Sequence, residues 1–312
     1  KNGYVSDAVK EQVLLTCKEI GYIPNSTAKS LKTNSTNIIG YITSDISNHY
    51  HITVAKALED IIRPHNYNLI VCSTNNSKEA EEHYLRALLG RHIEALVINT
   101  TGENDEFIAS ISQKIPTALV SRRLNISNFR GDIADCDNIT GTYLLTKELI
   151  KYGHRRIFLL EGPHKFSNTR ERYEGFRRAM AEIGINTDID YEGDFTEKSG
   201  FESIEYMLKT FDRIPTAILS TNNTMSVGTL KALSNYHISI PEQLSMVGFN
   251  GIDNLELMSV RPTVADFDPY EVGKAAGQYI LDRIQEPSLP NREAIINPTI
   301  IYGNATASPR II

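Results

Sequence analysis

The sequence predicts an α/β protein built as two doubly wound parallel-sheet lobes, with a short helical head in front. Apolar runs of four to six residues alternate with amphipathic helical stretches through most of the chain. Continuous runs of this kind mark parallel strands buried on both faces. The alternation comes in two successive sets, and 312 residues suit two lobes at about 150 residues each.

The head comes first. Ser6 and Asp7 open a helix in which Val9, Val13, Leu14, Cys17 and Ile20 recur at helical spacing, and Gly21 can end it. Pro24 restarts the chain, and Asn25 is suited to cap a short helix over residues 26–31. A polar linker, Thr33-Asn34-Ser35-Thr36, follows. The first α/β set then reads as strands over 38–42, 68–73, 95–98 and 117–120, with helices over 53–65, 77–89 and 107–113. The second reads as helices over 140–152, 170–182, 225–235 and 272–285, with strands over 157–160, 217–219 and 245–249. Gly153 and Gly184 stand where two of these helices should stop. Two lobes of this kind leave a cleft between them, a favoured place for a small ligand.

Composition excludes several alternatives. Hydrophobic residues make up 41% and charged residues 22%, which fits neither collagen, a coiled coil nor a disordered tail. No run of eighteen apolar residues is present, so no membrane helix is expected. The net charge of −6 argues against a protein coated in nucleic acid. That charge is uneven: residues 1–36 carry five lysines (1, 10, 18, 29 and 32) against Asp7, Glu11 and Glu19, or +2, which leaves −8 for the rest. Cys17, Cys72 and Cys136 are widely spaced, as suits a reducing compartment. No secretory layout opens the chain, so a cytoplasmic location is expected.

Catalytic signatures are missing. There is no G-x-G-x-x-G after the first strand, no P-loop, no G-x-S-x-G and no H-E-x-x-H. His49 and His51 flank Tyr50 without a carboxylate partner, which is poor zinc spacing. The reading is therefore not an enzyme, with no cofactor and no metal.

Gly21-Tyr22-Ile23-Pro24-Asn25-Ser26-Thr27-Ala28-Lys29-Ser30-Leu31-Lys32 resembles the hinge segment of the lactose-repressor (LacI/GalR) family of bacterial transcription regulators, G-Y-x-P-N-x-x-A-x-x-L. Further blocks follow in family order. They are Ile38-Ile39-Gly40, Asn48-His49-Tyr50-His51, Asp137-Asn138, Gly153-His154-Arg155-Arg156-Ile157, Arg170-Glu171-Arg172 through Gly175-Phe176, Gly193-Asp194-Phe195 with Ser199-Gly200-Phe201, Pro215-Thr216-Ala217-Ile218 and Val247-Gly248-Phe249. The resemblance covers essentially the whole chain.

It implies lobes of periplasmic-binding-protein type I behind a remnant of a helix-turn-helix domain and a hinge helix. The implied boundaries are 1–24 for the remnant and 25–36 for hinge and linker. The N-terminal lobe is 37–137 plus 268–295, and the C-terminal lobe is 138–267 plus 296–312. It implies a homodimeric repressor, with no membrane association, whose core binds a small carbohydrate-type effector and alters operator affinity. The alternative is a periplasmic sugar-binding protein of a transport system, disfavoured by the hinge-like residues ahead of Ile38.

Residue by residue, the resemblance implies effector contacts at Tyr50, His51, Asn99, Ser121, Arg172, Phe195, Asn222, Asn250 and Phe267. Flat rings would face the ligand's C–H surfaces, while amides and a guanidinium would meet its hydroxyls. DNA contacts are implied at Asn25, Ala28, Lys29, Leu31 and Lys32, with Leu31 as a minor-groove wedge and the lysines near phosphates. The family often has Asp where this chain has Ser121, Asn223 and Asn250. With Arg172 retained and Arg122 and His51 nearby, the pocket is expected to be electropositive, and the effector to be a sugar phosphate or sugar acid.

The chain begins at Lys1, beyond the expected recognition helix, and reads as a fragment or processed form. It is expected to bind operator DNA poorly or not at all. A mobility-shift assay at moderate salt should show no specific complex; a tight, sequence-specific one would overturn this.

Overall fold

The computed structural model describes residues 6–22, 35–185, 189–252 and 254–309. Two six-stranded sheets organise the chain. The first is formed by β1 (Ile38–Thr43), β2 (Asn68–Ser73), β3 (Ala95–Ile98), β4 (Thr117–Val120), β5 (Asp132–Cys136) and β11 (Glu293–Ile296). Its order is β11-β5-β4-β3-β1-β2, with every pairing parallel. The second contains β6 (Ile157–Glu161), β7 (Asp190–Glu192), β8 (Ala217–Ser220), β9 (Ser245–Phe249), β10 (Thr263–Asp266) and β12 (Thr299–Ile301). Its order is β12-β10-β9-β8-β6-β7, parallel except for β12 against β10. Ile296, placed in the second lobe by the sequence boundaries, closes β11 in the first sheet.

Alternate strand residues go to opposite faces, and helices cover both. α1 is Asp7–Glu19, in the head. In the first lobe, α2 (His49–Ile62) and α9 (Pro269–Gln285) bring Val54, Leu58, Val272 and Ile280 against Ile39, Tyr41 and Val97. On the other face, α3 (Lys78–Gly90) and α4 (Asp105–Ser112) bring Leu85, Leu88 and Ile108 against Ile42, Leu96 and Ile98. In the second lobe, α5 (Asn138–Lys151) and α6 (Ser167–Ala181) set Leu145, Leu149 and Phe176 against Leu159, Leu219 and Val247. Opposite them, α7 (Glu197–Thr210) and α8 (Asn223–Asn235) set Ile204, Met207 and Leu233 against Phe158, Ile218 and Met246.

Helix ends follow side-chain chemistry. α5 and α6 are followed by Gly153 and Gly184 in the left-handed region, φ +99° and +72°. α2 starts at His49, not at residue 53, because the Asn48 side chain accepts the Tyr50 backbone N–H at 3.0 Å. The sequence reading overlooked α7, although Thr196 caps it through Ser199 N at 3.1 Å. Val9 and Val13 of α1, and Ile20 just after it, are exposed.

β5 was overlooked because Asp132 and Asp135 interrupt its apolar pattern. Both are buried. The Asp132 carboxylate accepts two bonds from Arg283, at 2.8 and 3.0 Å, and three from Arg292, two from its guanidinium at 3.1 Å and one from its backbone N–H at 3.0 Å. Burial alone would raise this carboxyl's pKa, but the two guanidiniums outweigh it and hold it below the usual value. The cluster ties α9 and the start of β11 to β5. Asp132→Ala would strand a buried guanidinium and should cost about 3–5 kcal/mol, read as a shift of the urea unfolding midpoint.

Candidate functional site

Among the described residues the chain passes between the two sheets three times, after β5, after β10 and after β11. The C-terminal strand ends and the helix starts after them surround a cavity of about 560 Å³, in the range of small-molecule sites. All nine expected effector residues line it. Tyr50 and His51 come from the first turn of α2. Asn99 and Ser121 follow β3 and β4. Arg172 lies on α6, and Phe195 between β7 and α7. Asn222 precedes α8, and Asn250 and Phe267 follow β9 and β10. The DNA-contact candidates Asn25, Ala28, Lys29, Leu31 and Lys32 lie outside the described residues.

Arg172 is buried and donates from Nε to Asn138 Oδ1 at 2.9 Å and from Nη1 to the Thr221 carbonyl at 2.6 Å. Its guanidinium lies 4.1 Å from the Phe249 ring centre. A second buried guanidinium, Arg122, was noted in the sequence only as a neighbour. It donates to the Thr100 carbonyl at 2.8 Å and Asn76 Oδ1 at 2.9 Å, and stacks 3.5 Å from the centre of the Phe166 ring. Burial pulls its pKa down to about 9, with Arg172 adding to the effect and Glu81 opposing it.

Phe166 in turn stacks on Phe195, centroids 5.8 Å apart and planes 20° from parallel. Phe195 sits at φ +68°, and its ring covers Gly162 so closely that a Cβ there would lie 2.1 Å from ring carbons. Only glycine at 162 leaves the ring its place. Asn222 spends its side-chain oxygen capping α8 through Met225 N at 3.0 Å. Tyr50 OH meets Ser121 Oγ in a short hydrogen bond.

Several polar atoms around this cavity have no protein partner although they are buried: His51 Nδ1, Asn99 Oδ1, Arg122 Nε, Asn168 Oδ1 and Asn250 Oδ1. An unpaired buried polar group costs about 1–3 kcal/mol, so a polyhydroxylated ligand could satisfy several at once. The lobes already meet beside the cavity. Asn48 Nδ2 donates to Asn223 Oδ1 at 3.2 Å and Thr224 Oγ1 at 3.1 Å, and Arg123 N donates to Ser167 Oγ at 2.8 Å.

The expected electropositive pocket needs correction. His51 is buried and accompanied by Arg122, which together lower its pKa to about 3, so it brings no positive charge near neutrality. Three carboxylates, Asp45, Asp135 and Asp194, line the cavity beside Arg122, Arg172 and Lys165. Sequence reasoning missed Asp135 because the strand that carries it was not recognised. Among the described residues no group of His, Cys, Asp and Glu could hold a metal ion.

Comparison with known proteins agrees with this geometry. The profile of the periplasmic binding protein-like domain family matches residues 146–306. The chain belongs to this family. Within it, the chain is a regulator of the LacI/GalR type. The repressor PurR of Aliivibrio salmonicida is 27% identical over 308 residues, covering 96% of this chain and 91% of that protein. The ribose operon repressor of Escherichia coli is 28% identical over 305 residues, covering 96% and 92%. A solved LacI-family regulator from Enterococcus faecium with bound ribose is 25% identical, with a TM-score of 0.78, covering 88% of this chain and all of that one.

The site makes a pH prediction for this regulator. His51 has a folded-state pKa of about 3 against 6.5 free. As pH falls, the unfolded chain takes up that proton first, so this contribution to stability is complete above pH 6.5 and is lost between 6.5 and 3. The His51 ring resonances should therefore stay in their neutral positions from pH 8 to pH 5 in an NMR titration.

Proposed function

We propose that this chain is a LacI/GalR-type transcriptional repressor whose two lobes bind a small, neutral carbohydrate and pass the resulting lobe closure to operator DNA. One observation carries the reading. The unpartnered polar atoms of the cavity come from both lobes, with His51, Asn99 and Arg122 from the first and Asn168 and Asn250 from the second. A ligand that pairs with both sets binds the closed arrangement better than an open one. That differential affinity is what shifts a conformational equilibrium, and DNA and effector must then alter each other's affinity by the same factor.

The relatives support this reading. The two relatives described above are named as repressors, and one is named for the ribose operon. The Enterococcus faecium structure contains ribose. The carboxyl groups that line the cavity beside its cations favour a neutral sugar over the sugar phosphate or acid expected from the sequence. The helix-turn-helix remnant is assigned to 1–24 and the hinge to 25–36, with lobes at 37–137 plus 268–296 and 138–267 plus 297–312, the shift at 296 following β11. A homodimer follows from the need for two hinges on one pseudo-palindromic operator, and a repressor's place beside the DNA puts it in the cytoplasm. No helix of the described residues is long and apolar enough to cross a membrane.

Calorimetry with neutral pentoses and hexoses should find a binder. Arg172→Ala should weaken it about 10- to 100-fold, the range for hydrogen bonds to a charged group, with the far-ultraviolet circular dichroism unchanged. No heat from any sugar would overturn the reading.

A further inference from the structure

We propose that Asp135 selects the effector: its carboxylate accepts hydrogen bonds from the hydroxyls of a neutral sugar and turns away sugars that carry a phosphate or carboxylate. This deepens the carbohydrate reading above and rests on it.

The argument begins with strand register. β4 and β5 pair in parallel with Val120 opposite Ala134, and Ser121 N donates to the Ala134 carbonyl at 3.2 Å. Asp135 is therefore carried to the strand end beside Ser121, at the floor of the cavity. It is only 1% exposed, yet it lines that cavity. The two other lining carboxylates are engaged in local turns near the surface. Asp45 Oδ1 accepts Ser47 N at 2.8 Å, and Asp194 Oδ1 accepts Thr196 N at 3.0 Å.

Asp135 is the buried one of the three. Its Oδ1 accepts Cys136 N at 2.7 Å, while Oδ2 has only Asn138 Nδ2 at 3.5 Å. A carboxylate can accept about four hydrogen bonds, so Oδ2 keeps capacity for a ligand hydroxyl. Nearby lie the unpartnered Asn99 and His51 groups, which would hold other hydroxyls of the same ring.

The charged and titratable groups around Asp135 are Glu171 and Arg172 from α6, Arg123 from the segment after β4, Tyr50 from α2 and the adjacent Cys136. Burial first, then Glu171, push the Asp135 carboxyl up to about 7, against the pull of the Cys136 N–H and both arginines. Burial holds the Tyr50 phenol and Cys136 thiol in their neutral forms. Hydroxyls donated by a neutral sugar favour the ionised carboxylate, so binding expels a proton near neutrality. Affinity should then rise about tenfold from pH 6 to pH 8. A sugar anion would show the opposite trend, because it meets the neutral carboxyl only at lower pH.

The test is calorimetry on the whole chain at pH 6 and pH 8, with neutral pentoses and hexoses and their phosphates and aldonic acids. The wild-type chain is expected to bind a neutral sugar, more tightly at pH 8. Asp135→Asn keeps an acceptor for the Cys136 N–H, so it should fold with an unchanged or higher melting temperature. It should bind the neutral sugar about tenfold more weakly, with the pH dependence flattened. Wild-type affinity that does not change with pH, wild-type preference for the phosphate at pH 8, or unchanged binding by Asp135→Asn would each overturn the proposal. A wild-type chain that binds no sugar at either pH sinks the carbohydrate reading and this inference together.

Discussion

A parallel β-sheet must be covered on both faces, because its crossover connections lay helices above and below it. In this chain that constraint uses up the strands' sides and leaves their C-terminal ends as the places where backbone can turn freely. Two such sheets, joined among the described residues by three passages of the chain, enclose a cavity between those ends. Every contact discussed for the effector depends on this arrangement. The rings, amides and guanidiniums come from many separate loops, yet all lie at strand ends or on the helix starts that follow.

The electrostatics of the cavity are a consequence of the same burial. Arg122 and Arg172 are kept deep between the lobes by backbone carbonyls, asparagine oxygens and aromatic faces. Burial, with the Arg122 guanidinium beside it, disfavours a protonated imidazole, so His51 stays neutral. The same setting tolerates Asp135 because arginines and a backbone N–H partly offset its desolvation. The cavity is polar and nearly balanced in charge, which suits hydroxyls better than anions.

Much of this was legible in the sequence. The strands read at 38–42 and 95–98 lack polar side chains, and their helices carry the matching stripe. The effector candidates were carried over residue by residue from the family resemblance, and the fold brings all nine to one cavity. What escaped notice had an opposite surface signature. β5 reads Asp-Ile-Ala-Asp-Cys, and carboxylates normally mark solvent; only Arg283 and Arg292, more than 150 residues away, make Asp132 a core residue. α7 was hidden because its preceding block was read as a site motif.

By itself the sequence determined the two-lobed α/β class, the order of most elements and the residue types that line the cavity. These depend on local periodicity, capping and short motifs, which survive in one dimension. The charge state of the site was decided by tertiary structure alone. Whether His51 is cationic, whether Arg122 reaches the cavity and whether Asp135 joins it depend on burial and on partners distant in the chain. A pKa is set by the three-dimensional surroundings of the group, and no spacing along the chain encodes them.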